Sequence, residues 1–118
     1  MYCNKTNKSP EILLDIKKGI LNINGNCYDD LSINKLEELT DNLKNNNINR
    51  LICNIKFNII NSLNHKNMFI ILIYLSDLYM NNIPIIINWY YNKNDISIKE
   101  MGDDFNELLD IDLNIIEQ

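Results

Sequence analysis

The chain has 118 residues, 46% hydrophobic and 23% charged, as expected for one folded domain. Its formal net charge of −5 disfavours nucleic acid as a partner, because affinity for a phosphate backbone depends on Lys and Arg. The most apolar run, residues 68–75, is too short to span a membrane. Residues 1–10 are polar, so we expect a cytoplasmic protein without a membrane partner, with residues 1–9 flexible.

Two features of the composition have simple interpretations. The cysteines Cys3, Cys27 and Cys53 are odd in number, widely spaced and form no Cys-x-x-Cys pair. Neither a disulfide framework nor a zinc site is therefore predicted. Asn and Ile are unusually abundant, which we attribute to coding bias in an AT-rich genome.

The first part of the chain has the pattern of a β-hairpin followed by an amphipathic helix. Residues 11–16 precede Lys17-Lys18-Gly19, and an extended apolar pattern then continues to Gly25, which predicts two antiparallel strands. Apolar residues next recur at spacings of three and four: Ile33, Leu36, Leu39 and Leu43. This stripe predicts a helix that ends in the Asn run 45–47 and covers one face of a sheet.

The central part predicts a strand, a second helix and another strand. Residues 51–57 form an extended apolar segment that leads into Asn61-Ser62. The apolar positions that follow surround more of the helix than a single stripe, so we expect this helix to be largely buried. Asn81-Asn82 ends it, and Ile85-Ile86-Ile87 is typical of a central strand buried on both faces.

The last part predicts a third helix and a closing segment. Asp95 is placed to cap a helix with apolar residues at helical spacing, and residues 113–116 form a short strand or an extended tail. Acidic residues dominate after Lys99, which indicates a solvated helix face or, alternatively, an acidic docking surface.

Alternating strands and helices predict right-handed crossovers onto a partly parallel sheet. We therefore predict an α/β fold: a single domain over residues 1–118, with a mixed sheet of four to five strands, an N-terminal β-hairpin and about three helices.

Few residues offer enzymatic chemistry. Gly19, Gly25 and Gly102 are far apart, so no phosphate-binding loop is present. His65 is the sole histidine, and neither a known motif nor a nearby carboxylate surrounds it in the sequence. We predict a protein that is not an enzyme and that binds no cofactor or metal. His65 is then an exposed residue of a first helical turn or, as the alternative, the phosphoryl acceptor of a phosphocarrier.

Ser62 stands where an apolar strand gives way to an apolar helix, and it is an N-cap candidate. Helix N-termini have unpaired N–H groups and a partial positive charge, so a phosphate there gains roughly 0.3 to 1 kcal/mol. A partner docked over that end would meet about −1.5 to −2 added charges. A penalty of about 3 kcal/mol would weaken its binding roughly a hundredfold. From residue chemistry alone, a serine in this position is more often only a structural cap.

Trp89, Tyr90 and Tyr91 end the strand that is predicted to be central. Clustered aromatic residues are enriched in interfaces, but aromatic residues at the end of a central strand also pack under neighbouring helices. Alternation along the strand places Trp89 and Tyr90 on opposite faces, so the two cannot both be buried on one face. Because parallel strands end at the same edge of a sheet, we expect at least one of the three to border the Ser62 surface.

Several short segments share their order and spacing with a known family. They are Ser9-Pro10-Glu11-Ile12, Lys18-Gly19-Ile20-Leu21, residues 25–28, Asn88-Trp89-Tyr90-Tyr91, and Gly102-Asp103-Asp104-Phe105 with Glu107-Leu108 and Asp110-Ile111. Taken together, the segments resemble the SiaC family of bacterial regulatory phosphoproteins over nearly the whole chain, from about Pro10 to Glu117.

This resemblance implies a fold similar to the anti-sigma-factor antagonist, or STAS, domain. In that family a hydroxyl residue beginning the second helix is phosphorylated by a dedicated Ser/Thr kinase and cleared by a PP2C-type phosphatase. Ser62 occupies this position. The family also implies that the unphosphorylated form binds and activates an effector, a GGDEF diguanylate cyclase, and thereby regulates cyclic-di-GMP and biofilm formation.

The sequence departs from the family pattern around this position. Leu63 and Asn64 stand where further hydroxyl residues are usual, and Ile59 and Ile60 stand where aromatic residues are usual. Ser62 is thus the single hydroxyl at the helix start. The remaining alternative is a constitutive structural interaction domain that has lost the switch. The predicted partner-binding residues are Ile60, Asn61, Leu63, Asn64, His65, Lys66, Trp89 and Tyr91.

Overall fold

In the computed structural model, residues 1–118 form three helices and one six-stranded sheet. The strands are β1 (Tyr2–Cys3), β2 (Glu11–Asp15), β3 (Ile20–Cys27), β4 (Leu51–Ile60), β5 (Ile85–Tyr91) and β6 (Leu113–Glu117). The helices are α1 (Asp30–Lys44), α2 (Ser62–Met80) and α3 (Ile96–Leu108). The predicted α/β fold with a mixed sheet is confirmed, although the sheet has six strands rather than four to five.

The strands lie in the sheet in chain order. β1, β2 and β3 pair antiparallel, whereas the pairs β3–β4, β4–β5 and β5–β6 are parallel. The predicted hairpin is therefore present as β2 and β3, and its turn ends at Gly19, which has a positive φ of 69° that favours glycine. Each parallel connection contains one helix, so the carboxyl ends of β3, β4 and β5 meet at one edge.

Residues 1–9 are attached to the sheet, contrary to the expectation that they are flexible. β1 pairs with β2, and the N-terminal ammonium of Met1 donates to Leu14 O at 3.1 Å. The Lys35 ammonium, buried under this segment, donates to three oxygens: Asn4 O at 2.6 Å, Ser9 Oγ at 2.9 Å and Pro10 O at 2.9 Å. A side chain of α1 therefore anchors the N-terminal segment to the domain.

All three helices lie on one face of the sheet. Strands that follow one another in chain order with right-handed crossovers receive every helix on the same side. The prediction that β5 is buried on both faces is therefore wrong: Ile85 and Ile87 face the core, but Ile86 is 47% exposed. Helix α2 is likewise buried only on the side that faces the sheet. Ile70 and Ile73 lie on its other side and are exposed to solvent. None of the three helices is both long and apolar enough to cross a bilayer.

Candidate functional site

The junction between β4 and α2 places Ser62 at the carboxyl edge of the parallel strands. Asn61 has extended backbone (φ −85°, ψ 172°), and its Oδ1 accepts the backbone N–H of Asn64 at 3.1 Å. Asn61 is therefore the N-cap, and Ser62 is the first residue of the helix, with an exposed side chain. The predicted capping role of Ser62 is wrong by one residue. Asn is as good an N-cap residue as Ser, and here the Asn61 side chain accepts the backbone N–H of Asn64.

Asn61 is itself held from several sides. Its Nδ2 donates to Tyr28 O at 3.1 Å and its backbone N–H donates to Cys27 O, also at 3.1 Å. Its Oδ1 accepts a second hydrogen bond, from Asn64 Nδ2 at 2.8 Å. These bonds attach the start of α2 to the end of β3. The Ser62 hydroxyl takes no part in these bonds, so the cap does not depend on it.

The first turn of α2 is electrostatically suited to an added anion. The N–H groups of Ser62 and Leu63 have no intrahelical acceptor, as at any helix start, whereas the N–H of His65 donates to Asn61 O at 2.8 Å. The first turn contains no acidic residue. Lys66 is exposed one turn after Ser62, so its ammonium adds positive charge on the same side of the helix.

Exposed apolar side chains belong to the same edge of the sheet. Leu63 and Ile59 are each 52% exposed. Ile59 faces solvent because the β3–β4 register shifts after Gly25: Gly25 pairs with Phe57, but Asn26 pairs with Ile59, which leaves Asn58 as an extra residue. Tyr28 and Leu31 are also exposed. Sequence reasoning missed both as surface residues, although Leu31 lies off the apolar stripe of α1.

His65 is half-buried between α2 and α3. Its ring stacks on Phe105, with ring centroids 4.8 Å apart and planes at 24°, and the Phe69 ring also stacks on Phe105, with centroids 5.7 Å apart. These side chains line a shallow groove of about 340 Å³ together with Asp104, Glu107 and Leu108. Histidine is thus part of an aromatic contact between helices, one turn from Ser62.

The predicted partner residues divide into accessible and inaccessible groups. Asn61, Leu63 and Lys66 are exposed, and Ile60, His65 and Tyr91 are half-buried. Trp89 and Asn64 are fully buried, so their predicted contact with a partner is wrong. The Trp89 side chain points into the core, where its Nε1–H donates to Ile98 O at 2.8 Å, and the Asn64 side chain is turned back to Asn61.

Two ionisable groups lie where β3 leads into α1. Burial raises the pKa of the Cys27 thiol to about 12, against a smaller lowering by the Ser32 hydroxyl. Burial also raises the pKa of Asp29, but hydrogen bonds from the Ser32 hydroxyl and backbone N–H outweigh it and leave that pKa below its usual value. Cys27 is therefore a neutral thiol, and Asp29 is a charged cap of α1. No group of three or more His, Cys, Asp or Glu side chains is arranged to hold a metal ion.

Comparisons with known proteins agree with this architecture. Two crystal structures from Pseudomonas aeruginosa are similar to this chain at 20% sequence identity. Apo-SiaC superposes with a TM-score of 0.88, covering 98% of this chain and 96% of that one. A chain in the structure of diguanylate cyclase SiaD in complex with its activator SiaC superposes with a TM-score of 0.91, covering 100% of this chain and 99% of that one. At this identity, the likeness shows a common fold.

The sequence itself gives the assignment. No curated protein matches it. Residues 3–118, however, match the family described as SiaC family regulatory phosphoprotein. Because this match extends over almost the entire domain, the chain belongs to the SiaC family of regulatory phosphoproteins.

Proposed function

We propose that the protein is a non-catalytic partner-switching module in which reversible phosphorylation of Ser62 controls binding to an effector. The observation that carries this proposal is the position of Ser62, an exposed hydroxyl at the first residue of α2, directly after a cap that does not need it. Membership of a regulatory phosphoprotein family calls for an acceptor residue. Ser62 is the single hydroxyl in the first two turns of α2.

In the unphosphorylated form, the effector docks over the start of α2. The surface offered there is neutral at Asn61 and Ser62 and apolar at Leu63 and Ile59, so docking removes apolar area from water. The effector is a GGDEF diguanylate cyclase, by analogy with the P. aeruginosa cyclase SiaD, whose structure contains its activator SiaC. Binding activates cyclic-di-GMP synthesis in the cytoplasm and so regulates biofilm formation.

Phosphorylation by a cognate Ser/Thr kinase changes this surface without unfolding the domain. The phosphate sits at the positive end of α2, near the N–H groups of Ser62 and Leu63, and gains roughly 0.3 to 1 kcal/mol there. A docked effector would have to desolvate about −1.5 to −2 charges. A net penalty of about 3 kcal/mol weakens binding roughly a hundredfold. A PP2C-type phosphatase restores the binding form.

The rival proposal is a phosphocarrier that uses His65. Its ring is half-buried and stacked on Phe105 at 4.8 Å, so a phosphoryl donor would have to compete with the aromatic contact. Ser62, by contrast, is exposed. The two chemistries are also separable, because phosphohistidine is labile in acid whereas phosphoserine is stable.

The experiment is intact-mass and fragment spectrometry of the full chain purified from its native host under phosphatase inhibition, with and without acid treatment. We expect an acid-stable phosphate on Ser62. Ser97 is the matched control, since it is an exposed serine in the first turn of α3, and it should stay unmodified. An acid-labile phosphate on His65 would favour the phosphocarrier. A chain unmodified under every growth condition would indicate a constitutive interaction domain.

A further inference from the structure

The face of the sheet opposite the helices is uncovered. Parallel sheets almost always have both faces covered, yet the four parallel strands β3 to β6 carry helices on one face only. Ile52 on β4 and Ile86 on β5 point outward, and they are 44% and 47% exposed. The Ser62 surface lies at the edge where α2 begins and meets this outer face there, at Ile59, which is paired with Asn26.

One row of the outer face is apolar. Ile20, Ile52 and Ile86 are paired in register on three adjacent strands. On β2, Leu13 points to the same face and is exposed, but it is paired with Asn22, whereas the residue paired with Ile20 is Asp15. The three isoleucines form a contiguous apolar strip, whose removal from water would favour association.

The adjacent row is a ladder of asparagines across four strands. Asn54 Nδ2 donates to Asn22 Oδ1, Asn88 Nδ2 donates to Asn54 Oδ1, and Asn114 Nδ2 donates to Asn88 Oδ1, each at 3.0 Å. Burial of a polar group is costly when the group has no hydrogen-bond partner. Because neighbouring amides already bond to one another, this polar row can be covered at a reduced desolvation penalty.

Charge is scarce in the middle of the outer face. Its central cation is Lys56, whose ammonium lies 4.6 Å from the ring centroid of Tyr90 on the next strand. The carboxylates of this face, Glu11 and Asp15, lie at its β2 side. A chain with a net charge of −5 repels its own copies over most of its surface. Apart from Lys56, the outward residues of β3, β4 and β5 in the isoleucine and asparagine rows and beside them are uncharged, and depletion of charge is typical of interface centres.

We propose that the outer face of the sheet is a homodimer interface, occupied by a second copy of this chain packed face to face. Strands spaced about 4.8 Å apart that rise about 3.3 Å per residue give β2 to β6 a footprint of roughly 500 Å² per copy. Two copies together bury roughly 1,000 Å², the lower limit of a specific interface. Packed sheets of this kind align their strands within about 30°. The helices of both copies, and hence both Ser62 sites, face outward.

Sedimentation equilibrium of the full chain between about 1 µM and about 1 mM tests this dimer, since an interface of this size should dissociate within that range. We expect the mass to rise from one chain to two. The double variant Ile52→Lys with Ile86→Lys places four ammonium groups at the interface of a dimer. It should weaken association at least about a hundredfold. Its net charge falls in magnitude from −5 to −3 because two lysines are added, so general repulsion cannot explain the loss.

The matched control is Ile70→Lys with Ile73→Lys on α2. Both isoleucines are 41% exposed and the charge change is the same, so this variant should dimerise like the wild type. Ile86→Thr keeps a β-branched residue in the strand and should weaken association about tenfold. A wild-type chain that stays monomeric to about 1 mM, a dimer that survives the lysines on β4 and β5, or equal loss in the α2 control would overturn the proposal.

Discussion

Asn61 Oδ1 accepts the backbone N–H of Asn64 at 3.1 Å, and the cap of α2 therefore lies one residue before Ser62. This places two different tasks on adjacent residues. Asn61 fastens the helix start to Tyr28 and Cys27, whereas the Ser62 hydroxyl is exposed and makes none of those contacts. Substitutions at the two positions should consequently separate the stability of the domain from its proposed regulation.

We predict that Asn61→Ala lowers the free energy of unfolding by about 1 to 2 kcal/mol, because a helix cap and its bond to Tyr28 are lost. Ser62→Ala should change it by less than about 0.5 kcal/mol, as is usual for surface positions. Urea unfolding followed by tryptophan fluorescence measures both. If Ser62→Ala were as destabilising as Asn61→Ala, the cap would have been assigned to the wrong residue.

Gly102 lies in close contact with Trp89, and this contact predicts a defect in Gly102→Ala. A Cβ at position 102 would meet Trp89 Cδ1 at 2.4 Å and Nε1 at 2.7 Å, so the indole must move and its bond to Ile98 O is strained. We expect a loss of about 1 to 3 kcal/mol in the free energy of unfolding. Trp89 is the single tryptophan, so its emission should shift to longer wavelength.

The matched substitution on the same helix is Asp104→Ala, at an exposed position. It should leave both the emission maximum and the stability close to those of the wild type. An unchanged emission maximum and unchanged stability in Gly102→Ala would contradict the close contact between Gly102 and Trp89.

Lys35 should be essential for the attachment of the N-terminal segment. Lys35→Met removes three hydrogen bonds, of which those to Ser9 Oγ and Pro10 O are buried, and we expect this to lower the free energy of unfolding by about 2 to 3 kcal/mol. Amide hydrogen exchange should also become faster at Leu14, whose N–H donates to Met1 O. Lys44→Met, at an exposed position of the same helix, is the control, and an equal effect of both variants would contradict the anchoring role.

The buried Cys27 thiol predicts a loss of stability at alkaline pH. Its pKa is raised from 9.0 to about 12 in the folded chain, so between these values the unfolded chain loses a proton that the folded chain keeps. The free energy of unfolding should therefore fall with pH in this window, by about 1.4 kcal/mol per pH unit for one thiol. Below pH 9 the stability assigned to this group is fully present.

Comparison with Cys27→Ala isolates the contribution of that thiol, because the other alkaline-titrating groups remain. The variant should be less stable at neutral pH, since a buried side chain is shortened, but its stability should decline less steeply above pH 9. Parallel pH profiles of the two proteins would mean that the Cys27 thiolate is tolerated in the folded state.

Local patterns were sufficient to predict most of the elements. The stripes of α1 and α3 follow the helical period, and the hairpin is marked by Gly19 between two apolar runs. β1 could not be recognised in the same way, because two residues carry no period and their position depends on Lys35, which is distant in sequence. The open face of the sheet could not be predicted either, because the run Ile85-Ile86-Ile87 is equally compatible with a buried and with an exposed Ile86.

The start of α2 was predictable to within a residue. Asn61 and Ser62 are both good caps and adjacent, so only backbone geometry distinguishes them. Alternation places Trp89 and Tyr90 on opposite faces but does not say which face meets the core. The asparagine ladder was hidden for a different reason: Asn22, Asn54 and Asn88 align only through the register of three strands, which the abundance of Asn in the sequence does not reveal.

The central claim, that the charge at Ser62 decides whether the effector docks, is tested most directly by calorimetric titration of the GGDEF diguanylate cyclase of the same organism with three variants. Asn47→Asp, at an exposed position at the opposite edge of the sheet, controls for the added negative charge. We predict that Ser62→Ala and Asn47→Asp bind like the wild type, whereas Ser62→Asp binds at least about tenfold more weakly. Equal affinity of Ser62→Ala and Ser62→Asp would contradict the switch.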